Sequence, residues 1–220
     1  GQLDKGAQVL EVNVGGPGVN EPELIERVIV TLQSITSVPL QIDTSNIEAM
    51  ERGLRIYNGR PLLNSVNGKA ENLAEVLPLA AKYGAALVGL CLDENGIADS
   101  AAGRLKVADK IVGEAEKAGL RPRDMLLDPL AMTISTGGEN AQIALAVIRN
   151  LKSRQLKTVM GVSNISFGLP SRDAVNSAFF SLAMEAGLSA GIINPNSGAM
   201  MQAYYAYGAL SGLDSGCKKY

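Results

Sequence analysis

The sequence predicts an α/β fold of the parallel (β/α)8 TIM-barrel type that lacks its first strand. Three observations predict it. Short apolar runs alternate with amphipathic helical stretches seven times along 220 residues. Several runs are apolar at nearly every position, as strands are when helices cover both faces of a parallel sheet. No linker or shift in composition divides the series, which favours one barrel over separate domains. Such barrels typically have about 250 residues and eight units. One strand is therefore expected upstream of Gly1, with residues 1–6 as the tail of its helix. The barrel domain is expected to cover residues 1–213, and 214–220 to form a frayed tail.

The first strand run is 9–14, followed by the loop Gly15-Gly16-Pro17-Gly18. Asn20-Glu21-Pro22-Glu23 reads as a helix start, with an acid three residues after Asn20 and Pro in the first turn. Leu24, Val28, Leu32 and Ile35 then recur at helical spacing. Residues 39–43 form the second strand. Ser45 and Glu48 are spaced as a capping box, Ile47, Met50 and Leu54 form a stripe, and Asn58-Gly59 stops the helix. The third strand, 61–64, leads to a helix with Leu73, Leu77 and Ala80 that ends at Gly84. The fourth, 86–92, leads to one with Leu105, Ala108, Val112 and Ala115 that ends at Gly119. The fifth, 125–128, is followed by a loop to Gly138 and a helix with Ile143, Val147 and Leu151. The sixth, 158–163, precedes a helix with Val175, Phe179 and Leu182 that ends at Gly187. The seventh, 191–193, precedes an Ala- and Tyr-containing helix.

Composition excludes several functions. Hydrophobic residues make up 46% and charged residues 19%, with a net charge of -2. The pI is about 5.3 and no basic stripe is present, which argues against nucleic-acid binding. No apolar run has the length of a membrane span, and no signal-peptide pattern opens the chain. Cys91 lies in an apolar run and Cys217 in a polar stretch, which is no disulfide framework and points to the cytoplasm. The sequence has no histidine. That removes His-based triads and most zinc and non-haem iron sites, so no metal site is expected. Carboxylates, amides and hydroxyls must carry the chemistry.

In a β/α barrel the active site lies at the C-terminal ends of the strands. Asn13, Asp43, Asn64, Asp128 and Asn164 each close a run that is otherwise apolar. Any one of them is as readily a helix cap or turn residue. Five from five strands make a less ordinary set. A carboxylate accepts two N–H bonds side by side, so an array of Asp and Asn suits a flat heterocycle with an amidine-like edge, such as a pterin. The Gly15–Gly18 loop does not match a Walker or dinucleotide fingerprint and is expected to be a simple tight loop. Cys91 is expected in the core, and Tyr204, Tyr205 and Tyr207 in packing.

Asp43-Thr44-Ser45-Asn46, Leu63-Asn64-Ser65, Leu127-Asp128-Pro129-Leu130 and Gly161-Val162-Ser163-Asn164-Ile165-Ser166 together resemble the pterin-binding methyltransferases. These comprise the methyltetrahydrofolate:corrinoid protein methyltransferases and the folate domain of cobalamin-dependent methionine synthase, with dihydropteroate synthase a more distant cousin. The resemblance covers nearly the whole chain in the same order. It implies methyl transfer between N5 of methyltetrahydrofolate and a Co(I) corrinoid (cobalamin) carried on a partner protein, in either direction. Asp43, Asn64 and Asp128 would hold the pterin ring, and Asn164 would lie near N5 as the catalytic residue. Asn13 and Arg172 would join them in substrate binding. Arg172 matches an arginine that follows the Ser-Asn motif, and its plainer role is that of a surface residue opening a helix. Glu11 stands where the family more often has Asp. A homodimer is expected. Two alternatives remain open: an enzyme like dihydropteroate synthase, although the loop after Asn13 lacks the Ser/Thr-Arg-Pro pattern, and a non-catalytic folate-binding module of a corrinoid complex.

Overall fold

The computed structural model describes all 220 residues. The seven expected strands are present as β1 (Leu10–Val12), β2 (Leu40–Asp43), β3 (Leu62–Asn67), β4 (Ala86–Leu90), β7 (Met125–Asp128), β8 (Lys157–Gly161) and β9 (Ala190–Ile192). Two further short strands, β5 (Leu92–Asp93) and β6 (Gly96–Ile97), pair with each other after β4. The helices are α1 (Glu21–Ile35), α2 (Ile47–Ile56), α3 (Ala70–Tyr83), α4 (Ala101–Lys117), α5 (Asn140–Ser153), α6 (Arg172–Ala186) and α7 (Gly198–Leu210). The fold class is α/β, with seven parallel strands alternating with helices, one strand short of the eight of a TIM barrel. No helix is long and apolar enough to cross a membrane.

The chain forms two compact units: 7–96 with 106–127, and 1–6 with 97–105 and 128–220. In the first unit β1, β2, β3 and β4 pair in chain order and in parallel. Asp43 lies opposite Asn64 in the β2–β3 register. The β3–β4 register shifts between Asn64 and Val66, and the Asn64–Ser65 peptide is cis. Strand residues alternate between faces. Leu40 and Ile42 therefore share one face, and Gln41 and Asp43 the other. Helices α1 and α2 cover the Ile42 face closely: a Cβ on Gly53 would stand 3.1 Å from the Ile29 side chain and 3.3 Å from Ile42. A side chain there would require those isoleucines to shift by a few tenths of an ångström. The polar face is thus left for Glu11, Gln41, Asp43 and Asn64.

In the second unit β8 pairs in parallel with β9. Leu145 and Ile148 of α5, Met160 of β8, Phe179 and Phe180 of α6 and Met200 of α7 form its core. Tyr204 stacks on Phe180 with ring centroids 6.4 Å apart and meets Tyr205 edge-on, so these tyrosines pack as expected.

Three local expectations are corrected. Helix α1 buries Ile25 and Ile29, while Ile35 is 74% exposed. The Leu24–Val28 and Ile25–Ile29 rows have the same period, and only contact with α2 and β2 selects between them. The cap of α2 is Asn46, whose Oδ1 accepts from Ala49 N–H at 3.1 Å, rather than Ser45. Thr44 Oγ1, accepting from Asn46 N–H at 3.0 Å, sets that turn one residue later. Strand β8 ends at Gly161, and a 3₁₀ turn, Val162–Ser166, follows. The ends at Gly84 and Gly187 hold, each glycine closing its helix with a left-handed backbone.

Candidate functional site

The first unit brings three of the expected residues into one row. Parallel register sets Asp43, at the end of β2, beside Asn64, and β3 continues past it to Asn67 rather than ending there as expected. Asn13, just past β1, donates from Nδ2 to Asp43 Oδ2 at 2.9 Å. Its own Oδ1 accepts from Gly15 N–H at 3.0 Å, so the loop after β1 holds the amide in place. Asp43 and Asn64, paired in register, thus stand side by side on β2 and β3, with Asn13 bonded to Asp43 from the end of β1. The rest of the Asp43–Asn46 motif is structural. Thr44 donates to Glu21, and Asn46 caps α2.

A second polar layer lies beneath this row. Gln41 Nε2 donates to Glu11 Oε2 at 2.5 Å, and these residues pair across β1 and β2. Partial burial raises the Glu11 carboxyl above its ordinary range, the Asp43 charge raises it further, and the Gln41 amide opposes both. Glu11 therefore has a partner within the fold, which accounts for an acid at this strand position without any ligand contact. Gln41 escaped notice in the sequence because it sits inside an apolar run.

The second unit assembles Asp128, the turn carrying Asn164, and Arg172. Asp128 is buried, and its Oδ1 accepts from Leu130 N–H at 2.7 Å. Burial pushes its carboxyl up to about 7, against the opposing pull of the Leu130 N–H and the Arg104 charge. The loop that follows is tied to the 3₁₀ turn after β8. Ile134 N–H donates to Ile165 O at 3.0 Å, and Thr133 and Ser135 hydroxyls donate to Phe167 O at 2.6 and 3.1 Å. Arg172 braces the same turn, donating to Ser163 O at 2.8 Å and Ser166 Oγ at 3.0 Å while lying over the Phe167 ring. Arg172 thus braces the turn through two of its donors while remaining exposed. Asn164 is exposed on the turn, close to Gly161, where an added Cβ would come within 3.3 Å of its amide nitrogen.

Arg104 was not legible as a site residue. It opens the buried stripe of α4 that continues through Ala108, Ile111 and Ala115. A charge at that position reads from sequence as a solvated face.

The model of the family described as "Pterin binding enzyme" matches residues 1–194. The chain belongs to the pterin-binding enzyme family. This pterin-binding enzyme is 30% identical to the methylcorrinoid:tetrahydrofolate methyltransferase of Eubacterium limosum over 223 aligned residues, covering all of the chain and 82% of that protein. It is 32% identical to the methionine synthase of Mycobacterium leprae over 207 residues, covering 88% of the chain but only 17% of the synthase. Among solved structures it resembles the dihydropteroate synthase of Xanthomonas albilineans in complex with 7,8-dihydropteroate, with a TM-score of 0.71 and 19% identity over 97% of the chain and 82% of that structure. The dihydropteroate synthase of Coxiella burnetii in complex with pteroic acid gives 0.72 at 15% identity, over 97% of the chain and 83% of that structure. At these identities the structural likeness establishes the pterin-binding enzyme's fold alone.

Proposed function

We propose that this pterin-binding enzyme moves a methyl group between N5 of methyltetrahydrofolate and a Co(I) corrinoid carried on a partner protein. The observation that carries the reading is the similarity along the entire chain to the Eubacterium limosum methyltransferase. The local geometry supports it. Asp43, steadied by Asn13 and flanked by Asn64, offers acceptors and donors in the pattern of a pterin's amidine edge. Asp128 supplies a second carboxylate, and Asn164 an exposed amide for N5.

Passing the methyl group to Co(I) breaks the N5–methyl bond and leaves its electron pair on N5, which must take up a proton from solvent. The amide oxygen of Asn164 favours that form by accepting from protonated N5. The protein thus acts by positioning and preorganised polarity. Arg172 holds the Asn164 turn. Buried Cys91 and exposed Cys217 are not bridged, in keeping with a cytoplasmic enzyme.

The test is stopped-flow transfer from 5-methyltetrahydrofolate to Co(I) cobalamin. Protein-dependent loss of the Co(I) absorbance is the expected result. Tight folate binding without transfer would overturn the enzyme reading in favour of a binding module. Absence of folate binding would overturn both.

A further inference from the structure

Arg104 is 1% exposed, although a guanidinium is costly to remove from water. It lines a cavity of about 470 Å³ with Asp99, Met132, Glu139 and Asn140 among its walls. Its Nε donates to Ala98 O at 2.9 Å, and its Nη1 to Pro129 O at 2.9 Å and Leu130 O at 2.6 Å. The last two carbonyls belong to the turn that follows Asp128. Leu130 has φ of 64°, a left-handed conformation that a branched side chain rarely adopts. In this turn Leu130 donates through its N–H to the Asp128 carboxylate and accepts through its C=O from Arg104. The guanidinium presents its donors in a fixed planar fork, whereas an ammonium is a compact charge on a flexible stem.

We propose that Arg104 is the positioning residue of the pterin site: it clamps the left-handed turn at Leu130 and so aims the Asp128 carboxylate. The role extends past packing, because the same cation that holds the turn also opposes the effect of burial on Asp128. Asp99 and Glu139, which line the cavity with Arg104, are the other charged groups there. The inference rests on Asp128 as a pterin contact.

Two measurements test it. In the first, the Asp128 side-chain carboxyl is followed by ¹³C NMR as a function of pH in the ligand-free parent and in Arg104→Met. Loss of the cation should move the midpoint upward. In the second, calorimetry gives the affinity for 5-methyltetrahydrofolate at pH 6.5 and 8.5. The Arg104→Met loss should be larger at pH 6.5 than at pH 8.5, since fewer carboxylates are then ionised. Arg104→Lys keeps the charge and loses the fork, so it should titrate like the parent while binding about tenfold more weakly. If Arg104→Met does not fold, that variant decides: parent-like affinity overturns the proposal. An unmoved midpoint, or an affinity loss equal at both pH values, reduces Arg104 to packing and also overturns it. A parent protein that binds no folate would sink the functional reading instead, while the titration still decides how Arg104 acts on Asp128.

Discussion

Asp128→Asn should make the ligand-free protein more stable at pH 8, leave it nearly unchanged at pH 4, and remove most of its folate affinity. The carboxyl sits near 7 in the fold against an ordinary 3.8. Ionising it inside the protein therefore costs on the order of 4 kcal/mol more than in the unfolded chain. The folded-state value lies above the unfolded one. The favourable contribution of the protonated acid is thus present at low pH and is lost as pH rises from about 4 to about 7. Asparagine carries no charge at any of these pH values, and its amide oxygen can still accept from Leu130 N–H. For a chain of this length the full difference amounts to about 10 °C in Tm at pH 8. Scanning calorimetry at both pH values measures it. In the same variant one acceptor for the pterin is lost, which should weaken binding by about one to two orders of magnitude. An equal change in Tm at pH 4 and pH 8 would refute the argument that buried charge is the cause. Unchanged affinity would remove Asp128 from the site. Stability gained where function is lost is the usual signature of a residue kept for its chemistry.

Asp43→Ala should weaken 5-methyltetrahydrofolate binding by about tenfold or more, and Asn13→Ala by less, because Asn13 acts through Asp43; calorimetry ranks the two. Asn164→Ala should slow single-turnover methyl transfer by about a hundredfold while changing substrate affinity far less, since a neutral amide meets a strong donor only as N5 becomes charged. Its exposure predicts little change in Tm, and joint loss of stability and affinity would mark it as a turn residue instead. Asp124 is held by Arg60 Nη2 at 2.9 Å and Arg121 Nε at 2.7 Å, and the Arg121 hydrogen bond does most to keep its carboxyl well below the usual range. The stabilisation it lends is present above the ordinary value of 3.8 and is lost as pH falls through the acid range. Asp124→Ala should cost about 1.5–3 kcal/mol by urea unfolding at pH 7 and leave folate affinity untouched.

The positions of Asp43 and Asp128 were legible because each closes an apolar run that forms a strand, β2 and β7; Asn64 closes an apolar run too, but β3 continues through it to Asn67. The helix stops at Gly84 and Gly187 were legible because a left-handed closing residue favours glycine. Asn164 was placed at a strand end because Val162 and Ser163 continue the alternation of β8. The backbone instead turns at Gly161, drawn by bonds from Thr133, Ser135 and Ile134 some thirty residues earlier in the chain. Arg172 showed the right type of residue, but not that its guanidinium would be engaged by Ser163 and Ser166.

The sequence by itself determined the order of strands and helices, the family, and the residue types available for chemistry, because periodicity, punctuation and motif are local properties of the chain. Tertiary structure alone decided which row of α1 is buried, that Asn13 holds Asp43, that Gln41 holds Glu11, and that Arg104 is drawn under the turn after Asp128. Each of these depends on partners distant in sequence. A helical period is unchanged by rotation about the helix axis, and a charged residue reads as exposed until a second segment supplies the carbonyls that let it be buried.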